Sequence, residues 1–256
     1  MLGTLGAGLL ADRLDAAYLI WPMAALAVFG AAAGLVLRPL DVGDVAVAAR
    51  RATRPLLRQP AFLAVIVAAA LIQGSHAAYY GFASIAWRAS GLDGATIAGL
   101  WTLGVLTEIV IFLLSPRIKI APAWLIAIGG LCAMLRWRGT AQAPPPPVLA
   151  AGQGLHGATY GVTLLGTMGL LVRIVPIHMM PSAQGYLAAA SGIVMSGASI
   201  LTGAFYARFG VDIYLAMALM AAAGVGVVAL AWRGLPPSTE PQPHSAASGG
   251  STMLPS

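Results

Sequence analysis

The sequence predicts an all-α, polytopic membrane protein, and three observations carry that prediction. Of the 256 residues, 59% are hydrophobic and only 9% are charged, where soluble domains average about 25% charged residues. Seven apolar runs reach the roughly 20 residues that a helix needs to cross a bilayer. Basic residues gather at the ends of those runs, as membrane topology requires. A spanning barrel would instead read as alternating segments of about 10 residues, and none is present.

Taken in order, the stretch from Met1 to Ala11 is apolar but too short to span, and it lacks the basic n-region of a signal peptide. Its glycines at 3, 6 and 8 suit the packing face of a helix whose first half is missing, so the chain is expected to start inside a longer protein. The expected spans are 16–38, 61–87, 95–115, 122–138, 147–172, 182–207 and 211–232. Arg50, Arg51, Arg54 and Arg58 crowd the loop 39–60, the longest internal connection, which places it in the cytoplasm and makes it the domain boundary. Alternation then puts Arg117, Lys119, Arg173 and Arg233 inside. Asp12, Asp15, Asp93 and Asp212 fall outside, beside Arg13, Arg88 and Arg208. Pro144 to Pro147 reads as a stiff outer connector. Residues 235–256, rich in Pro, Ser and Gly, read as a disordered cytoplasmic tail.

The net charge of +6 does not indicate nucleic acid, because the arginines sit at segment ends and form no basic stripe. A single cysteine, Cys132, excludes an intrachain disulfide and implies no metal cluster. It reads as a packing residue. Gly154, Gly157 and Gly161, like Gly192, Ser196 and Ser199, recur along one helix side and suit close backbone approach. The tryptophans at 87, 101, 124, 137 and 232 lie near span ends, where interfacial belts form.

The chemistry is expected where ionisable groups interrupt apolar runs, since such groups are costly in lipid and mark pathways or partners. Glu108 lies inside the run from Thr96 to Leu114, and a buried carboxylate suits reversible protonation; a structural hydrogen bond is the plainer role. His156 lies in the run from Val148 to Val172; imidazole donates and accepts at once, or packs against Thr159. Arg136, at the end of its run, either snorkels to the outer interface or, as the family resemblance given below implies, is buried and pairs with Glu108 or a substrate carboxylate. Arg138 reads as an interface anchor. Gln73, His76 and Tyr80 can share one helix face and line a pore, while Tyr79 and Tyr80 also fit a belt. His178 has no expected role. No phosphate-binding loop, metalloprotease motif or nucleophile elbow is present, so the sequence does not read as an enzyme and needs no metal.

Several segments together resemble one family. Leu71-Ile72-Gln73-Gly74-Ser75-His76-Ala77-Ala78-Tyr79-Tyr80-Gly81-Phe82 is similar to the seventh helix of 3-phenylpropionic acid transporters. These lie in the major facilitator superfamily, in the branch with the lactose permease and nucleoside–proton symporters. Leu100 to Glu108 resembles the eighth helix, Leu135-Arg136-Trp137-Arg138-Gly139 the ninth, Gln153 to Gly161 the tenth, and Ser182-Ala183-Gln184-Gly185-Tyr186 with Ser191-Gly192 the eleventh. The resemblance implies two six-helix bundles with substrate between them at the midplane. It makes residues 1–38 a remnant of the N-terminal bundle (the end of helix 5 and helix 6) and 61–234 the C-terminal bundle. Helices one to four are then missing. It further implies a multi-pass protein of the inner membrane that moves a small solute with H+, with no other cofactor and no nucleic-acid partner. Glu108, His156 and Arg136 would carry coupling and substrate contact. The implied cargo is an aromatic carboxylate, with a sugar or nucleoside as the alternative. A truncated bundle that transports nothing and packs with a partner is the other alternative.

Overall fold

A computed structural model describes residues 54–236, together with scattered helical positions between 21 and 33. The expected helix at 2–11, the rest of the span 16–38, most of the loop 39–60 and nearly all of the tail 235–256 lie outside the described residues.

Helix α1 runs Pro60–Gly74, with proline in its first turn where no N–H is needed. The chain turns at Ser75 and His76 and resumes as α2, Ala77–Ala89. The expected single span 61–87 is therefore interrupted at that turn. The break costs few unpaired carbonyls: Ser75 Oγ donates to the Ile72 carbonyl at 2.6 Å, and His76 Nδ1 lies 3.1 Å from the Gln73 carbonyl. In lipid such side-chain bonds are what make a broken helix tolerable.

Helix α3, Gly94–Leu114, is capped by Asp93, whose Oδ1 accepts from Thr96 N at 2.7 Å. Helix α4 is Pro122–Thr140. Helix α5, Pro146–Gly154, starts on two prolines, so the proline run both connects and opens the helix. A π-helical segment, Gly157–Val162, then leads into α6, Thr163–Ile174. Helix α7, Met180–Phe209, stops at Gly210, whose φ of +53° no helix continues through. Helix α8 is Ile213–Ala231. No strand occurs among the described residues. The stretches Pro60–Ala89, Gly94–Arg117, Pro146–Ile174 and Ile177–Gly234 are long and apolar enough to cross a membrane. Helix α4 is less apolar because it carries Arg136 and Arg138.

Burial is distributed as lipid demands. Gln73, His76, Arg136, Gln153, His156 and Thr159 are buried, while Ile193, Ile200 and Leu113 are exposed. Helix α8 packs on α4 and α1, α1 on α7, and α4 on α6. The tryptophans divide. Trp124 is 55% exposed and meets Trp232 edge-on, as a belt pair would. Trp87 and Trp137 are instead core residues, 4% and 0% exposed. Trp137 is held there by its Nε1–H, which donates to Ser75 Oγ at 2.9 Å, and by stacking on Tyr214. The glycines divide too. A Cβ at Gly157 would lie 2.5 Å from the Thr107 carbonyl oxygen, so close approach there is real, whereas Gly154 and Gly192 face open space.

Candidate functional site: a polar chain across four helices

The π segment brings α5 and α6 against α3 and α4. Gly157 N donates to Thr107 Oγ1 at 3.0 Å, and Thr107 Oγ1 donates to the Gly104 carbonyl at 2.7 Å. That clamp sets His156 beside Glu108, one residue beyond Thr107. His156 Nε2 lies 2.7 Å from Glu108 Oε1. Its other nitrogen, Nδ1, lies 2.7 Å from Arg136 Nη1. A guanidinium has only donors, so Nδ1 must be the bare, accepting nitrogen. Nε2 then carries the proton and donates to the carboxylate. The neutral Nε2–H tautomer thus follows from the partners.

The chain continues. Arg136 Nη2 donates to Gln153 Oε1 at 3.0 Å, and Tyr79 Oη donates to the same oxygen at 2.8 Å. The Arg136 guanidinium lies 4.4 Å from the Tyr79 ring centroid and 4.5 Å from that of Trp137, within cation–π range. Arg136 is only 3% exposed, so it does not snorkel to the interface. It does not pair directly with Glu108 either; the imidazole stands between the two charges. Glu108 is the accessible end of the chain, its side chain 21% exposed.

His76 forms a second contact between broken elements. Its Nε2 lies 3.1 Å from Thr159 Oγ1, which joins the α1–α2 turn to the π segment. The Thr159 hydroxyl also lies 3.1 Å from the His156 carbonyl. One hydroxyl proton serves one of these acceptors at a time. Tyr80 stacks on His76 at 5.9 Å and on Trp101 at 6.1 Å.

Two cavities flank this chain. One of about 680 Å³ is lined by Gln73, Tyr80, Tyr160, Thr167, Gln184 and Ser191 among apolar residues. Gln73 Oε1 is buried there without a hydrogen-bond partner. The other, of about 410 Å³, touches Tyr79, Trp87, Arg136 and Gln153. Arg136 and Tyr79 face one cavity, Gln73 and Tyr80 the other. His76 lies in the wall between helices and lines neither. Gln153 and Tyr79 are the members that single-residue reasoning passed over, although Gln153 sits one helical turn before His156. Among the described residues, no group of three or more His, Cys, Asp or Glu is placed to hold a metal ion.

No solved structure matches this chain. The "Probable 3-phenylpropionic acid transporter" of Escherichia coli (strain K12) is 31% identical over 153 residues. That match covers 59% of this chain and 40% of the relative, well under two thirds of the relative's own length. The family model described as "MFS_1 like family" matches residues 8–220, and the chain therefore belongs to that family, as a multi-pass helical membrane protein of the major facilitator superfamily.

Proposed function

We propose that the chain is part of a carrier, not an enzyme, that moves a small organic solute together with a proton across the inner membrane by alternating access. The observation that carries this reading is the Glu108–His156–Arg136 chain, a carboxylate and a guanidinium joined through one neutral imidazole inside an apolar bundle. A proton arriving at Glu108 discharges the carboxylate and weakens its hold on His156 Nε2–H. A proton arriving at His156 Nδ1 collides with the Arg136 donor and forces the two side chains apart. Either event converts proton binding into a change of contacts between α3, α4 and the π segment. The two broken elements nearest to it, the α1–α2 turn and the π segment, are where helices bend most readily.

The cargo we assign is a small aromatic carboxylate, in keeping with the name of the relative and with the ring-lined walls around Tyr79, Tyr80 and Trp101. One observation favours a second cargo. The cavity of about 680 Å³ offers amides and hydroxyls but no carboxylate, lysine, arginine or histidine, which suits a sugar or nucleoside.

Proton uptake by vesicles holding this chain, measured on adding 3-phenylpropionate and then a nucleoside, tests the reading. Uptake should follow the carboxylate and should be lost in both Glu108→Gln and His156→Ala. Undiminished uptake in both variants refutes the coupling assignment. Uptake driven by the nucleoside alone selects the second cargo. No uptake with either solute points to a bundle that packs with a partner and transports nothing by itself.

A further inference from the structure

Thr159, Thr163 and Thr167 stand a turn apart along the π segment and the start of α6, and all are buried. Thr163 and Thr167 turn their hydroxyls back on the carbonyls of Thr159 and Thr163, at 2.8 and 2.7 Å, a common habit of such residues in a helix. Thr159 is offered an acceptor on another element, His76 Nε2 at 3.1 Å, as well as the His156 carbonyl at 3.1 Å. Which of them takes its proton is decided on the far side of the His76 ring. His76 Nδ1 lies 3.1 Å from the Gln73 carbonyl and 3.2 Å from the Ile72 carbonyl. Both are acceptors only, so Nδ1 carries the proton, and Nε2 is bare unless the ring is a cation. The rings around it belong to Tyr80, Trp137, His156 and Tyr160. None of these is an anion, and Arg136, buried beside Trp137, is itself a cation. A buried cation without a counter-charge is costly. The ring is therefore neutral, and Nε2 accepts from Thr159.

The α1–α2 turn is thereby tied to both partners of the innermost contact. Ser75 Oγ accepts from Nε1–H of Trp137, the residue after Arg136, at 2.9 Å. His76 accepts from Thr159, which follows His156 within one turn. Arg136 and His156, whose side chains meet at 2.7 Å, are thus both held against a single turn of a third element. We propose that His76 is a positioning residue for the proton chain: a neutral Nδ1–H imidazole that holds the Thr159 hydroxyl, and with it the π segment, so that His156 stays opposite Glu108, while His76 itself carries no proton. The two buried imidazoles then have opposite tautomers, Nδ1–H at His76 and Nε2–H at His156. What this placement does for transport rests on the coupling assigned to Glu108 and His156; the tautomer and the link to Thr159 do not.

Nitrogen NMR of the whole chain with isotope-labelled imidazoles, in lipid nanodiscs at neutral pH, tests the proposal, because ring nitrogen shifts report tautomer and charge directly. The chain has 4 histidines, and His178→Gln and His244→Gln assign the other two signals. His76 should appear as the neutral Nδ1–H form. Two substitutions then separate the link to Thr159 from mere filling of space. An asparagine amide reaches the place of Nδ1 but not Thr159, whereas a glutamine amide reaches the place of Nε2 and accepts from the hydroxyl. In His76→Asn and in Thr159→Val the His156 signal should move, and hydrogen exchange of the amides of Gly157–Val162 should rise about tenfold, as for the loss of about one hydrogen bond. His76→Gln and Thr159→Ser should keep the His156 signal and hold exchange within about twofold, well under that tenfold step. Circular dichroism of each variant shows whether it is folded, and the tautomer in the unaltered chain stands without any variant. A cation or an Nε2–H form at His76 overturns the proposal. So does a His156 signal that neither His76→Asn nor Thr159→Val moves, or a His76→Gln variant that behaves like His76→Asn. The expected spectra in a chain that takes up no protons uphold the link and refute only the coupling reading.

Discussion

Helix α4 presents two unlike faces, and the contrast shows how this bundle is specified. Toward α8 and α1 the contact is made of shape. A Cβ at Gly130 would overlap the Val225 side chain and lie 3.0 Å from Ile72, and the adjoining α8–α1 contact is as tight, a Cβ at Gly224 lying 2.7 Å from Ile72 and 3.0 Å from the Ala68 carbonyl oxygen. Toward α5 and the π segment donors and acceptors are added to shape: Arg136 bridges His156 and Gln153, while a Cβ at Gly129 would overlap Thr163 Oγ1 and lie 3.1 Å from the Ala158 carbonyl oxygen. Lipid tails are as apolar as leucine, so burial alone does not hold helices together. Close fit holds the first face. Paired polar groups, which have no water to turn to, hold the second. The first should be sensitive to added volume, and the second to added volume and to lost partners alike.

The sharpest challenge is a volume change on the polar face. Gly157→Val places side-chain atoms where the Thr107 backbone already lies, and backbone does not rotate away. It should destabilise the protein by about 1–3 kcal/mol or more, read as a fall in the thermal midpoint in detergent. Tolerance of that variant would mean that the polar face is not shape-limited at all. Arg136→Met comes next. It leaves His156 Nδ1 without its donor, at about 1–3 kcal/mol, and Gly224→Ala should cost about as much, because the Ile72 side chain can shift but the Ala68 carbonyl oxygen, 3.0 Å from the added Cβ, is backbone.

A double-mutant cycle sharpens the comparison further. Glu108 and Arg136 do not touch, yet Glu108→Gln combined with Arg136→Met should deviate from additivity by about 0.5 kcal/mol or more, because both bond one imidazole. Strict additivity would break the chain into two independent pairs. Tyr79→Phe removes one of the two donors on Gln153 Oε1 and should cost about 0.6 kcal/mol, the average for interhelical hydrogen bonds in membranes. The smallest effect lies outside the bilayer. The bond from Thr96 holds the Asp93 carboxyl below its usual range. A depressed folded value means that the cap's contribution is present at neutral pH and lost as pH falls through that value. Asp93→Asn should keep the cap and remove this pH dependence, seen by titrating thermal stability below about pH 4, the usual carboxylate range.

The three costly groups were legible in the sequence because their signal is local: Glu108, His156 and Arg136 each interrupt an apolar run. Their joining was not legible, since Glu108 and His156 are brought together by the Thr107–Gly157 clamp, 50 residues apart in the chain. Trp87 and Trp137 were misplaced by position near span ends; a buried Ser75 hydroxyl and the Tyr214 ring decided Trp137 instead. Gln73 and Tyr80 line one cavity and Tyr80 stacks on His76 across the Ser75–His76 turn, but His76 itself is buried in the wall, which its spacing did not reveal.

Composition and run length by themselves determined that this chain is helical and membrane-spanning, because transfer of apolar side chains into lipid depends on what the residues are and how many stand in a row. Tertiary structure alone decided which polar groups meet, that an imidazole separates carboxylate from guanidinium, and that arginine and Tyr80 open on different cavities. Those outcomes depend on the rotation and bending of whole helices against one another, and a hydrogen bond of 2.7 Å is settled by displacements far smaller than any periodicity in sequence can specify.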